Sequence, residues 1–154
     1  MELDSDIIIV GGGLNGALLA IAAAKIGFST IVLDSKETHS AELNSFSGRS
    51  YALAASSVRL LKNLDIFEDM RDCSQPILDI EILDGKLVQG PSQFSLHFDS
   101  NEIHDGPMGY MIEDRFIQKS LFAQILATNQ IDYKFDSKVT EHYRQGNYIS
   151  VHLD

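Results

Sequence analysis

The hydrophobic positions near the start of the sequence predict a strand, a helix and a second strand in close succession. An apolar, largely β-branched run over about residues 6–10 predicts the first strand. The alanine- and leucine-rich run over about 14–27 is typical of a helix that ends at Gly27. A third apolar run, over about 30–34, predicts the second strand. This order of elements is typical of a parallel βαβ unit.

The rest of the sequence alternates between polar segments, helical spacing and short strands. Residues 35–50 are polar and predict a loop, and helical spacing predicts helices over about 52–64 and 114–128, the second with Asp114 as its N-cap. Further strands are predicted at about 77–83, 94–98 and 110–112, at 131–135, and in a hairpin at 138–143 and 148–153. The Asp84–Gly85 pair is expected to form a turn after the strand at about 77–83.

Two of these strands change the predicted architecture. The strands at about 77–83 and 94–98 follow each other without a helix between them, so they indicate a second sheet inserted into the βαβ fold. We therefore predict an α/β, Rossmann-like fold in which about 1–75 and 105–154 form the nucleotide-binding part. Residues of about 76–104 are expected to start the strands of an inserted substrate domain.

A glycine-rich segment lies between the first strand and the first helix. Its G-x-G-x-x-G pattern is typical of dinucleotide-binding turns and is formed by Gly11, Gly12, Gly13, Leu14, Asn15 and Gly16. Gly11 allows the tight turn, Gly13 lets a pyrophosphate approach the backbone, and Gly16 lets the helix pack closely on the sheet. Because the first amides of a helix attract anions, all six residues are predicted to bind the cofactor.

An acidic residue follows the second strand at the spacing that a dinucleotide-binding unit requires. Asp34 lies 21 residues after Gly13, and its carboxylate can accept hydrogen bonds from a ribose 2′-hydroxyl. The same carboxylate would repel a 2′-phosphate, so the pattern predicts FAD or NAD rather than NADP. The alternative is a glycine-rich βα turn in another kind of α/β protein.

Composition and charge argue against several other functions. The chain has 154 residues, with 22 acidic and 12 basic side chains and a formal net charge of −10, which argues against nucleic acid as a partner. Its one cysteine, Cys73, fits a reducing compartment, and its five histidines lack metal-ligand spacing, so no metal site is predicted. The acidic N-terminus is not a signal peptide, and no segment is long enough to span a membrane. The expected location is therefore the cytoplasm.

Three parts of the sequence resemble one enzyme family. The first is the βαβ unit from Asp6 to Asp34, and the second is Gly48–Leu61, with the sequence GRSYALAASSVRLL. The third combines Gln75–Ile77 with Gly109–Arg115. Together they resemble the N-terminal part of the FAD-dependent aromatic-ring monooxygenases related to p-hydroxybenzoate hydroxylase, and within these the ubiquinone-biosynthesis hydroxylases.

The resemblance implies a function for the intact enzyme. FAD would be the cofactor, NAD(P)H the electron donor, O₂ the oxidant, and a polyprenylated phenol of ubiquinone biosynthesis the aromatic substrate. The flavin would carry the redox chemistry while the protein orients it and excludes water. Such a substrate implies contact with the surface of the inner membrane, and membership of a multi-enzyme assembly or a homo-oligomer stays open. No catalytic acid or base is predicted in this chain.

The resemblance also implies roles for residues outside the glycine-rich turn. Arg49 would lie beside the flavin and pyrophosphate, although the residues alone favour a solvated loop arginine. Arg115 would reach the ribityl–phosphate region, with a surface ion pair as the alternative. The main chain of Val139 would meet the adenine. Lys36 would flank the adenosine ribose, and Ser35 beside it is included in the predicted site.

The sequence departs from the family pattern in two respects. Gly48 stands where the family often has an acidic residue. Asp114 stands where the ubiquinone branch usually has asparagine. The Gly-Asp and Asp-Gly motifs of the family's C-terminal half are missing, so we expect a fragment that binds FAD poorly and is inactive alone. Two alternatives stay open: another two-dinucleotide flavoprotein oxidoreductase, and a non-catalytic nucleotide-binding fragment.

Overall fold

The computed structural model describes residues 4–36, 45–86, 90–102 and 105–154. The α-helices in these residues are α1 (Leu14–Lys25), α2 (Ala55–Asn63) and α3 (Asp114–Leu126), and 3₁₀ segments cover Phe67–Cys73 and Ser100–Glu102. The strands, in chain order, are β1 (Ile7–Val10), β2 (Thr30–Leu33), β3 (Ser50–Ala54), β4 (Ser74–Ile77), β5 (Asp79–Lys86), β6 (Gly90–Asp99), β7 (Gly109–Glu113), β8 (Ile131–Lys134), β9 (Val139–Gln145) and β10 (Tyr148–Leu153).

A parallel sheet in the order β1-β2-β8 carries the βαβ unit. Its register places Ile9 beside Val32 and Val32 beside Tyr133. Val32 and Ala20 of α1 are fully buried and belong to one apolar cluster with Ile9. The small side chain of Ala20 lets α1 lie close to the sheet, which the parallel arrangement requires because such sheets are covered by helices. The predicted α/β, Rossmann-like fold is confirmed.

The main hydrophobic core lies between the three helices and the first 3₁₀ segment. Ile21 of α1, Leu61 of α2 and Leu121 of α3 are each at most 5% exposed. Phe67 and Met70 of the 3₁₀ segment are fully buried beside them. Burial of each such side chain stabilises the fold by about 1.5–3 kcal/mol. The core therefore fixes α3 against α1 and brings the start of α3 near the glycine-rich turn.

Three antiparallel sheets complete the described fold. Strand β7 lies between β3 and β4, while β5 pairs with β6 and β9 pairs with β10. The β9–β10 hairpin is confirmed. In the β5–β6 pair, Ile80 lies opposite Phe98 and Ile82 opposite Leu96, and all four side chains are exposed. This pair leaves an apolar face uncovered in the described structure. The assignment of residues 76–104 to an inserted substrate domain stays a prediction.

The start of the second helix was predicted wrongly. Residues 50–54 form strand β3, where the sequence pattern predicts a loop and the first turn of a helix. The backbone of these residues pairs with β7, with Tyr51 opposite Ile112 and Leu53 opposite Tyr110. Pairing with a distant strand determines the conformation of this segment, so the helix that the local spacing predicts begins only at Ala55. The short 3₁₀ helix at Phe67–Cys73 was not predicted.

Two turn assignments also need correction. Glu113, and not Asp114, is the N-cap of α3. Asp114 is the first helical residue, and its side chain accepts a hydrogen bond from Gln118 instead of capping the helix. The Asp84–Gly85 pair lies inside β5, at an irregular point of the register. Residues 87–89, which connect β5 and β6 in the sequence, lie outside the described residues.

Two further findings apply to the described residues only. No helix there is long and apolar enough to cross a bilayer. No group of three or more histidine, cysteine, aspartate or glutamate side chains in the same ranges could hold a metal ion. Two of the five histidines, His39 and His104, lie outside these ranges.

Candidate cofactor site

The glycine-rich turn joins β1 to α1 through two glycines with different tasks. Gly11 has a φ of +98°, a value that side chains disfavour, and its N–H donates to the Leu33 carbonyl at 2.8 Å. A Cβ on Gly16 would lie 1.9 Å from the Gly11 carbonyl oxygen and 3.3 Å from Ile9 Cγ2. The first turn of α1 therefore packs directly on the backbone that leaves β1, as predicted.

Gly13 faces open space at the start of α1. It is the N-cap of the helix, no side chain caps the helix, and the first turn carries no acidic residue. A Cβ built on Gly13 would meet no atom within 4 Å. Together with Gly11, Leu14, Asn15 and Gly16, it lines a cleft of about 780 Å³. An anion can approach the helix N-terminus through this opening, where uncapped amides and the helix dipole attract it.

Asp34 lies beneath this turn and is only 6% exposed. Its Oδ2 accepts hydrogen bonds from the Gly12 N–H and from the Tyr133 hydroxyl, both at 3.0 Å. Its Oδ1 accepts one from the Lys36 N–H at 3.0 Å. The predicted ribose acceptor is thus also part of the local structure that holds the glycine-rich turn against the end of β2.

Tyr133 of β8 is a member of this site that sequence reasoning missed. Its hydroxyl lies 3.0 Å from Asp34 Oδ2 and 3.2 Å from the Gly12 carbonyl oxygen. Burial raises the pKa of the Tyr133 phenol well above its ordinary value, and the charge of Asp34 and the hydrogen bond to it raise this pKa further. The phenol is therefore protonated and able to donate throughout the physiological pH range.

Three cations that the sequence places far apart line one cavity. Lys36, Arg49 and Arg115 surround a space of about 300 Å³, which Ser45, Ser47, Asp114 and Gln118 also line. Lys36 and Gln118 line a second, smaller cavity as well, beside Gly12 and Gly13. The cationic cavity and the glycine-rich turn are therefore adjacent, and a ligand with several phosphates could contact both.

Arg115 has partners of its own within this cavity. Its Nε donates to Glu113 Oε2 at 2.7 Å, and the two side chains are 29% and 35% exposed. Its guanidinium carbon lies 4.6 Å from the centre of the Phe116 ring. The ion pair that was the alternative interpretation is present, and it holds the guanidinium at the wall of the cavity. Gln118 is the second site residue that the sequence did not indicate.

Asp114 is a buried carboxylate at the base of the same cavity. It is 6% exposed, and its Oδ2 accepts a hydrogen bond from Gln118 Nε2 at 2.6 Å. Its Oδ1 is buried without a hydrogen-bond partner. An unpaired buried acceptor costs free energy, so this oxygen lowers the stability of the fold at the cavity.

Ser35 and Val139 lie at the ends of the elements that border the turn. Ser35 is exposed between Asp34 and Lys36. The Ser137 N–H donates to the Asp34 carbonyl at 2.8 Å, so the segment that leads into Val139 lies beside the end of β2. Val139 is the first residue of β9 and is half-buried. Ser35 therefore lies next to Asp34, and Val139 follows by two residues a segment that is hydrogen-bonded to Asp34.

Residues 4–149 match a family described as an FAD binding domain. The chain belongs to this family. Its relatives include ubiquinone hydroxylases and other FAD-dependent monooxygenases, so the resemblance to the FAD-dependent aromatic hydroxylases is confirmed.

Two relatives show how much of a longer protein the chain represents. It is 36% identical over 121 residues to the ubiquinone hydroxylase UbiL of Rhodospirillum rubrum, which covers 79% of this chain and 27% of the relative. It is 25% identical over 151 residues to the 3-demethoxyubiquinol 3-hydroxylase of Escherichia coli, covering 97% and 37% of the two chains. The chain therefore spans between 27% and 37% of the length of these curated relatives.

Solved structures share the fold. The chain superposes on p-nitrophenol 4-monooxygenase PnpA from Pseudomonas putida with a TM-score of 0.76 and 20% identity, covering 99% of this chain and 37% of that one. The corresponding values for PqsL of Pseudomonas aeruginosa, a probable FAD-dependent monooxygenase, are 0.72, 17%, 97% and 38%. At these identities the comparison supports the fold alone.

The residues of the site fit FAD. The cofactor of this family carries a pyrophosphate, and Gly13 leaves an opening at the helix N-terminus that a Cβ would partly fill. The adjoining cavity supplies Lys36, Arg49 and Arg115 as cations. Such a combination of uncapped amides and forked cationic donors suits phosphate oxygens.

Proposed function

We propose that this chain is the FAD-binding part of a flavin-dependent monooxygenase that hydroxylates a polyprenylated phenol of ubiquinone biosynthesis. The cofactor assignment rests on one observation above all. Lys36 and Gln118 line both the cavity beside the glycine-rich turn and the cavity that contains Arg49 and Arg115. A dinucleotide needs such a continuous surface, because its pyrophosphate, ribose and flavin ends contact the protein at separate points.

The glycine-rich turn and the end of β2 hold the adenosine half in this proposal. The amides of Gly13 to Gly16, including those of Leu14 and Asn15, face the pyrophosphate at the positive end of α1. The Gly12 N–H instead donates to Asp34. Asp34 accepts a hydrogen bond from the ribose, with Ser35 and Lys36 beside it. The main chain of Val139 meets the adenine. The hydrogen bond from the Ser137 N–H to the Asp34 carbonyl, two residues before Val139, supports the assignment.

The cationic cavity holds the pyrophosphate and the adjoining part of the flavin half. Arg49 and Arg115 present forked donors that suit phosphate and ring oxygens. The Glu113 ion pair limits the motion of Arg115, so less side-chain entropy is lost when a ligand binds. When bound, FAD supplies the redox chemistry with O₂, and these residues orient it.

The proposed function also includes a substrate and an electron donor for the intact enzyme. The names of three relatives refer to ubiquinone or demethoxyubiquinol hydroxylation, which supports a polyprenylated phenol as substrate. NAD(P)H is the electron donor in this proposal. A substrate of this kind partitions into bilayers, so we place the intact enzyme in the cytoplasm at a membrane surface. The exposed apolar face of β5 and β6 supports their assignment to a substrate domain within residues 76–104.

A flavin titration tests the cofactor assignment directly. The purified chain is titrated with FAD while flavin fluorescence and absorbance are followed, beside a Gly13→Val variant whose folding is checked by circular dichroism. Gly13 contacts nothing within 4 Å of its Cβ position, so the variant is expected to fold. Saturable binding by the wild type that the variant loses would support the proposal. A folded wild type without FAD binding would contradict it for this chain.

A further inference from the structure

The hydroxyl of Tyr133 contacts both Asp34 and the Gly12 peptide, the two parts of the site that are proposed to face the adenosine half. It donates to Asp34 Oδ2 at 3.0 Å and also lies 3.2 Å from the Gly12 carbonyl oxygen. The Gly12 N–H donates to the same carboxylate oxygen at 3.0 Å. The phenol, the carboxylate and the peptide of the turn therefore form one closed group of hydrogen bonds.

The position of this hydroxyl is fixed by packing. A Cβ on Gly12 would lie 1.8 Å from the Tyr133 oxygen and 2.8 Å from Asp34 Oδ2, so the phenol occupies the space that any side chain at position 12 would need. The Tyr133 ring meets Phe135 at 4.6 Å and Phe122 of α3 at 5.9 Å between ring centres. Aromatic contacts on two sides hold the ring while its hydroxyl reaches the turn.

The orientation of Asp34 depends on this group. A carboxylate is effective in recognition when neighbouring donors fix it before the ligand arrives, because the ligand then need not supply that ordering. Oδ2 is held by the phenol and by the Gly12 amide, and Oδ1 accepts from the Lys36 N–H. Charge-assisted hydrogen bonds of this kind are stronger than neutral ones.

We propose that Tyr133 is a positioning residue of the cofactor site. Its hydroxyl holds the Asp34 carboxylate and the Gly12 peptide in the arrangement that receives the ribose, and it thereby increases affinity for ligands that carry the adenosine 2′-hydroxyl. The inference rests on the proposed FAD function and on the ribose role of Asp34. Tyr133 thus determines how well Asp34 recognises the ribose, although Tyr133 itself need not touch the cofactor.

A cycle of two proteins and two ligands tests this role. Wild type and Tyr133→Phe are each titrated with FAD and with the FAD analogue whose adenosine is 2′-deoxy. Phenylalanine keeps the ring contacts and removes only the hydroxyl. We expect Tyr133→Phe to bind FAD about tenfold more weakly. With the 2′-deoxy analogue, the two proteins should differ by no more than about twofold, because the hydroxyl that Asp34 recognises is absent.

Tyr148→Phe is the matched control, because its exposed hydroxyl bonds only Gln145 among the described residues, at 3.0 Å. It should bind both ligands like the wild type. Equal losses for FAD and for the analogue in Tyr133→Phe would show a general structural effect and would overturn the positioning role, as would no loss at all. Failure of the wild type to bind FAD would instead refute the proposed function and this inference with it.

Discussion

The backbone N–H of Asp114 donates a hydrogen bond to the backbone carbonyl of Arg49, with 3.0 Å between the two atoms. This bond attaches the first residue of α3 to the residue that precedes β3. It brings Arg49 and Arg115 to one cavity although the sequence separates them widely. The cationic half of the candidate site therefore depends on β3, which begins directly after Arg49, and on β7, which ends directly before Asp114. These two strands pair with each other.

Gly16→Ala is expected to destabilise the fold. Alanine in place of glycine normally stabilises a helix interior by about 1 kcal/mol. Here the new Cβ would lie 1.9 Å from the Gly11 carbonyl oxygen, so overpacking should lower the free energy of unfolding by about 1–3 kcal/mol. Urea denaturation measures the change. Asn15→Ala, at an exposed neighbouring position, is the control, and equal stability of the two variants would contradict the packing account.

Arg49→Gln is expected to weaken FAD binding about tenfold, the effect of losing a charged hydrogen bond to phosphate. The loss should shrink as salt is added, because salt screens an exposed charge. Arg59→Gln removes an equal charge from an exposed pair with Asp105 on another part of the surface and should leave FAD affinity unchanged. If both variants lost affinity equally, net charge rather than this cavity would account for binding.

Asp114→Asn is expected to strengthen FAD binding. The change keeps the side-chain volume and removes a buried negative charge from the cavity proposed for an anionic ligand. The expected gain is about fivefold, consistent with the removal of a like-charge interaction of roughly 1 kcal/mol. Asp132→Asn, an exposed position paired with Lys134, serves as control. Weaker binding by Asp114→Asn would show that the carboxylate itself accepts a hydrogen bond from the cofactor.

Stability at alkaline pH should depend on Tyr133. Its pKa in the folded protein is raised above the ordinary value of 10.0, so the unfolded chain loses this proton first as the pH rises. The stability that the protonated phenol contributes is therefore complete below about pH 10 and is lost above it. The free energy of unfolding, measured by denaturation between about pH 9 and 11, should fall less steeply with pH for Tyr133→Phe than for Tyr148→Phe. Equal slopes would show that the phenol titrates normally.

The nucleotide-binding unit was predictable because its determinants are local. Gly11, Gly13, Gly16 and Asp34 lie within one continuous stretch. Gly11 has a positive φ, Gly16 packs against the backbone of Gly11, and Asp34 accepts a hydrogen bond from the Gly12 N–H. The alternating pattern of β9 and β10 was equally informative, because a hairpin pairs with itself.

The parts that could not be predicted depend on contacts between distant segments. Residues 50–54 have a helical pattern locally but pair with β7. The strand pattern of Ile131–Phe135 indicates that Tyr133 faces inward, yet only the sheet order shows that its hydroxyl reaches Gly12. Gln118 was hidden in the same way, because the helical pattern of α3 does not show that its polar edge adjoins Lys36.

The central claim is that FAD lies along a surface from the glycine-rich turn to the cationic cavity. The most direct test is nuclear magnetic resonance of the labelled chain during addition of FAD. The account predicts shifts of the amides of residues 11–16 and 34–36 and of the Arg49 and Arg115 guanidinium signals, while the β5–β6 signals stay unchanged. Shifts confined to residues outside the turn and the cavity, or no shifts from a folded chain, would contradict it.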